Sequence, residues 1–99
     1  MTVIEILEKA AATFKDRNGQ YGSAYIKQGD VLAAMFPDGL TLKTPDDFRR
    51  FCLFAMIIGK MNRYSEALYR GGIHLDSVHD AGVYAFMLES VDSDILEGK

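Results

Sequence analysis

The segment His74–Tyr84, HLDSVHDAGVY, gathers His74, Asp76, His79, Asp80 and Tyr84 directly ahead of an apolar run. Such residues move protons, hold divalent cations through carboxylates, or orient the bases that grip a phosphate. A second group lies in IIGKMNRY, where Lys60 interrupts an apolar pattern and Arg63 follows three residues later. Both suit an anion, arginine through paired N–H bonds to phosphate oxygens. A third group, Asp16, Arg17, Tyr21 and Gly22 in DRNGQYG, offers a guanidinium and a ring for a planar phosphorylated ligand. Each group also has a plain structural use. Acids pair with cations, Asp76 can cap a helix, and Tyr21 can anchor a turn.

Other chemistries lack their residues. The chain has no Walker loop, no GxSxG and no GxGxxG, and no serine beside an evident base. His74 and His79 are five apart, hence on different faces of a helix, and the chain has one cysteine, so zinc is not expected. His74 beside Asp76 is either a proton-transfer pair or a loop histidine making one hydrogen bond. Cys52 lies in an apolar helical pattern and is read as packing.

Helices must position these groups. Thr2 followed by Glu5 is a capping-box pattern, and Ile4, Ile6, Leu7, Ala10, Ala11 and Phe14 recur at helical spacing. The first helix is predicted from Val3 to Lys15, broken by Asn18-Gly19 and Gly22. Ser23 is the predicted cap of a second helix from Ala24 to Phe36, with Val31, Leu32, Met35 and Phe36 on its apolar side. Pro37 and Asp38-Gly39 open a loop. Thr44-Pro45-Asp46-Asp47 is the clearest helix start, and the third helix is predicted from Pro45 to Tyr69, stopped by Gly71-Gly72. A fourth is predicted to begin at Asp76 or Ser77 and to run through Val83, Tyr84, Met87, Leu88 and Val91. The tail, about residues 92–99, is expected to fray. No segment alternates convincingly with period two. The expected architecture is all-α, a single four-helix bundle with a long third helix.

Leu53, Met56, Ile57, Lys60 and Tyr64 share one stripe of the third helix. A buried ammonium needs an acid or must reach outward to water. A short connection makes the third and fourth helices antiparallel neighbours. Lys60 and Arg63 are therefore predicted to meet Asp76 and Asp80 across the bundle, as structural ion pairs or as the lining of a polar pocket.

Composition narrows the function classes. The chain has 99 residues, 48% of them apolar and 25% charged, which fits one globular domain with a modest core. Five tyrosines, six phenylalanines and five methionines are generous for that length, and burial between subunits of a homodimer is expected. A net charge of −3 argues against a nucleic-acid backbone binder, though not against a local basic pocket. The apolar run Phe51–Gly59 is too short to span a bilayer. No basic stretch followed by an apolar core opens the chain, and a single cysteine suits a reducing compartment, so the expected location is cytoplasmic.

DRNGQYG, KMNR and DSVHDAGVYA together resemble a family of small phage and prophage proteins patterned DR…YG, K…R and DSxxDxxxY. The resemblance covers roughly residues 6–88. It implies a site of Arg17, Tyr21, Gly22, Lys60, Arg63, Asp76, Ser77, Asp80 and Tyr84. That family is in turn distantly similar to the MazG-type all-α pyrophosphohydrolases of nucleoside triphosphates, whose facing helices hold Mg²⁺ through carboxylates. Here Asp76 and Asp80 would be the metal residues. The second helix adds only Asp30, Glu5 and Glu8 are three apart on the first, and no EExxE pattern occurs. Binding is therefore expected ahead of hydrolysis. The expectation is an accessory protein of phage type whose pocket, formed by Arg17, Tyr21, Lys60, Arg63, His74, Asp76, Asp80 and Tyr84, takes a nucleotide or other phosphorylated ligand. The alternative is a non-catalytic protein that binds and alters a host protein.

Overall fold

The computed structural model describes residues 1–22 and 24–98, apart from the side chains of Gln20 and Tyr21. It contains four helices, α1 (Val3–Tyr21), α2 (Ala24–Met35), α3 (Pro45–Tyr69) and α4 (Leu75–Leu96). No strand occurs among the described residues.

The start of α1 is the expected capping box: Thr2 Oγ1 accepts the Glu5 N–H at 3.2 Å, and the Glu5 carboxylate accepts the Thr2 N–H at 2.9 Å. The helix does not stop at Lys15. It continues through Asn18-Gly19, because a helical glycine costs only about 1 kcal/mol and does not forbid the conformation. The chain turns at Gly22, whose φ of 60° disfavours a side chain. A Cβ there would also sit 3.4 Å from Arg70 Nη2 and Glu66 Oε2. Ser23, the predicted cap of α2, lies outside the described residues.

α3 has the predicted bounds and the predicted cap, with Pro45 in its first turn and Gly71 at φ 74° just beyond its end. Thr44 Oγ1 accepts the Asp47 N–H at 3.1 Å, and the Asp47 carboxylate accepts the N–H groups of Lys43 and Thr44 at 3.0 and 3.1 Å. The start of α4 departs from expectation. The N-cap is His74, whose Nδ1 accepts the Ser77 N–H at 3.2 Å, so Asp76 is inside the first turn and caps nothing. Nor does α4 fray from residue 92. It reaches Leu96, and Arg50 Nε donates to Asp92 at 2.9 Å.

α3 and α4 pack antiparallel. Arg50 pairs with Asp92 and Lys60 with Asp80, so ten residues forward along α3 correspond to twelve back along α4. The inward stripe of α4 is Ser77, Ala81, Tyr84 and Leu88, spaced four, three and four. Val83 and Met87, which helical spacing places among the inward residues, are exposed. Small Ser77 and Ala81 let the backbones approach, while the bulk comes from α3. α2 lies on another side of α3, where Phe36 meets Phe51 and Phe54 edge-on at 6.3 and 5.7 Å.

The four helices enclose only a small core within the chain. The buried apolar residues among those described are Ala24 and Ala81. Every described side chain of α1 is exposed, including Ile4 at 67% and Leu7 at 62%. Cys52, read as packing, is exposed as well. The radius of gyration is 16.9 Å, against about 12.6 Å for a compact chain of this length. No helix of the described residues is long and apolar enough to cross a membrane.

The Asp47 cap has a pH signature. The backbone N–H bonds from Lys43 and then Thr44 hold its carboxyl below the ordinary carboxylate value. Its stabilising effect is complete above the unfolded pKa and is lost as pH falls through the lower folded value. Asp47→Asn is expected to lower the melting temperature at neutral pH. Thermal denaturation followed by circular dichroism should show the gap to wild type narrowing below about pH 4.

Candidate functional site

α3 is the wall on which the polar groups converge. A cavity of about 370 Å³ lies between its middle, the C-terminal half of α1 and the first turns of α2. α1 contributes Phe14, Arg17 and Asn18, α2 contributes Tyr25 and Gln28, and α3 contributes Asn62 and Arg63. A smaller cavity of about 190 Å³ is lined by Met56, Lys60 and Tyr84 and shares Gln28, Gly59 and Arg63 with the first. The shared residues make the two neighbours.

Gly59 holds the junction narrow. A Cβ there would meet Gln28 Oε1 at 3.0 Å, and Gln28 Nε2 donates to the Ala55 carbonyl at 3.2 Å, drawing α2 onto α3. Two ties fix the far end: Lys27 Nζ reaches Ser65 Oγ at 3.0 Å, and Arg70 Nη1 donates to the Gly19 carbonyl at 2.6 Å. Phe14 and Tyr25 meet edge-on with ring centroids 5.8 Å apart.

The electrostatics favour an anion. Arg17 and Arg63 line the larger cavity, Lys60 and Arg63 the smaller, and neither has an acid among its described lining residues. Arg17 makes no ion pair among the described residues. The first turn of α2 also lines the larger cavity, and that end of a helix carries partial positive charge. Asn62 is only 6% exposed. Its Nδ2 donates to the Ala24 carbonyl at 2.8 Å, while its Oδ1 has no partner within the described protein. A buried amide oxygen without a donor is costly, and a ligand N–H or O–H would satisfy it.

The residues singled out in the sequence divide into four sets. Arg17, Lys60, Arg63 and Tyr84 come together along the neighbouring cavities. Asp80 is adjacent, its Oδ2 3.1 Å from Lys60 Nζ, as the antiparallel arrangement requires. His74 caps α4, and Asp76 is exposed in the first turn; neither lines these cavities. The Tyr21 side chain lies outside the described residues. Phe14, Asn18, Tyr25, Gln28 and Asn62 were not anticipated. Asn62 had a signal in KMNR, a short amide inside an apolar helix between two cations.

The donor set fits a catalytic metal poorly. No group of three or more His, Cys, Asp or Glu among the described residues is placed to hold a metal ion. Asp76 and Asp80 supply two carboxylates, one already held by Lys60. Mg²⁺ on that pair would need most of its ligands from water and phosphate.

Compared with protein-family models, with curated proteins and with solved structures, the chain matches none.

Asn62→Ala removes the side-chain bond from α3 to the Ala24 carbonyl, which keeps its helical N–H partner in α2. Urea denaturation should show a loss of about 0.5–1.5 kcal/mol of stability. Full retention of stability would mean that the amide does not hold α2 to α3.

Proposed function

We propose that the protein binds a nucleotide or a similar phosphorylated, planar ligand in the neighbouring cavities, as a homo-oligomer. The supporting observation is the convergence of Arg17, Arg63 and Lys60 with the unpartnered Asn62 Oδ1 and the Phe14–Tyr25 ring pair. The larger cavity, about 370 Å³, falls in the usual range for small-molecule sites. In this reading Arg17 and Arg63 take the phosphate oxygens by paired N–H bonds. Lys60, released from Asp80, adds a third cation, and Asp80 holds it in place until then. Asn62 Oδ1 accepts from an amine or hydroxyl of the ligand, and the ring pair provides an apolar wall for a base. The resemblance to small phage proteins and, more distantly, to MazG-type enzymes agrees with a nucleotide. The carboxylate set favours binding without hydrolysis.

A host-protein binder is the second reading. Tyr25, Tyr69 and Phe86 are exposed at 65%, 89% and 73%, as a docking patch would require.

Nucleotides with and without Mg²⁺ should separate the two in a thermal-shift assay. At a ligand concentration about five times Kd, linkage gives roughly 1 kcal/mol, or a melting-temperature rise of about 4–8 °C in a domain this size. Arg17→Ala should weaken binding about tenfold, close to 1.4 kcal/mol, and leave the unliganded melting temperature unchanged. No rise with any nucleotide at millimolar concentration would overturn the ligand reading.

A further inference from the structure

α1 supplies Phe14, Arg17 and Asn18 to the ligand cavity, yet its own chain hardly holds it. Among the described residues its anchors lie at its C-terminal end, in the Phe14–Tyr25 contact and the Arg70–Gly19 hydrogen bond. From Val3 to Thr13 every side chain is exposed. A helix in a protein draws most of its stability from packing its apolar side, so that side of α1 needs a covering surface. Ile4, Leu7, Ala11 and Phe14 are spaced three, four and three, the rhythm of a seam between two helices. Glu5, Glu8, Lys9 and Lys15 lie off that seam.

The exposed area is large enough for a second copy to be the occupant. The chain exposes 7454 Å², whereas a compact monomer of 11.0 kDa exposes about 5,600 Å². The surplus is about 1,800 Å² per chain. Half of that surplus, covered on each of two copies, would total about 1,800 Å², above the roughly 1,600 Å² of a standard complex. An isologous pairing uses the same patch on both copies, so one apolar stripe per chain suffices.

We infer that the Ile4–Leu7–Ala11–Phe14 stripe of α1 packs against a second copy of this chain, and that this contact fixes the α1 wall of the ligand cavity. The inference rests on the proposed ligand site for its second half only; the first half concerns the ligand-free protein.

Sedimentation of ligand-free wild type from micromolar to submillimolar concentration should give twice the 11.0 kDa chain mass. Ile4→Glu combined with Leu7→Glu places two carboxylates in the seam and should weaken the dimer by roughly 100-fold or more. Nucleotide affinity should fall in the same variant. Hydrogen exchange on wild type does not depend on the variant's folding: amides of residues 3–13 should be protected under the conditions in which sedimentation shows a dimer. Three results would overturn the proposal. One is a wild type that stays monomeric at every concentration, including one that pairs only with a host protein. Another is a double variant that dimerises as tightly as wild type. The last is fast, unprotected exchange of residues 3–13 in a protein that sediments as a dimer. Unchanged nucleotide affinity in a monomeric variant would overturn the link to the cavity alone. A dimer that ignores nucleotides would leave the seam standing and remove the ligand site.

Discussion

The antiparallel packing of α3 on α4 is the contact to which the other parts are referred. Its register is set at two places, Arg50 with Asp92 and Lys60 with Asp80. Near the second of these the small side chains Ser77 and Ala81 bring the backbones close, and Gly71 turns the chain sharply enough for α4 to return along α3. Neither ion pair has to carry much energy. The side chains of Lys60 and Asp80 are 22% and 40% exposed, and pairs so open to water contribute about 1 kcal/mol or less. Their importance is positional. The Lys60 bridge leaves the ammonium at the edge of the cavities, close to Arg63 and Tyr84.

Once that pair is set, α3 has other sides left to cover, and the rest of the chain covers them unevenly. α2 takes one, with Phe36 against Phe51 and Phe54 and the Asn62 amide bound to the Ala24 carbonyl. α1 meets α3 only slightly and leaves a wedge of space, which is the larger cavity. The same arrangement thus produces two features at once: a polar cleft beside α3 and an amphipathic helix whose side chains from Val3 to Thr13 are exposed. A short chain with many aromatic residues is prone to this, because its surface is large relative to the core it can enclose.

Local chemistry explains what was legible in the sequence. α3 was readable to both ends because Thr44, Pro45, Asp46 and Asp47 each favour a helix start and the glycines after Tyr69 favour a stop. The Lys60–Asp80 encounter followed from two helix periodicities and a short connection. The end of α1 was misplaced because Asn18-Gly19 has the composition of a turn, whereas the turn waits for Gly22, where Glu66 and Arg70 crowd the backbone from far along the chain. His74 as a cap was missed because the neighbouring Asp76 and Ser77 are commoner caps. The apolar side of α1 was identified, but periodicity does not say what covers it. In the site, charged residues drew notice and amides did not; Asn18, Gln28 and Asn62 matter through neighbours on other helices, which a single sequence does not display.

The central claim is that residues 60 and 80 of the same chain are neighbours. A nuclear Overhauser experiment on a mixture of labelled and unlabelled protein tests it, because it separates contacts within a chain from contacts between chains. With Nζ and Oδ2 3.1 Å apart, the Lys60 ε-methylene and the Asp80 β-methylene should give a cross-peak within one chain. A cross-peak found only between chains would contradict the fold described and the cavities built on it.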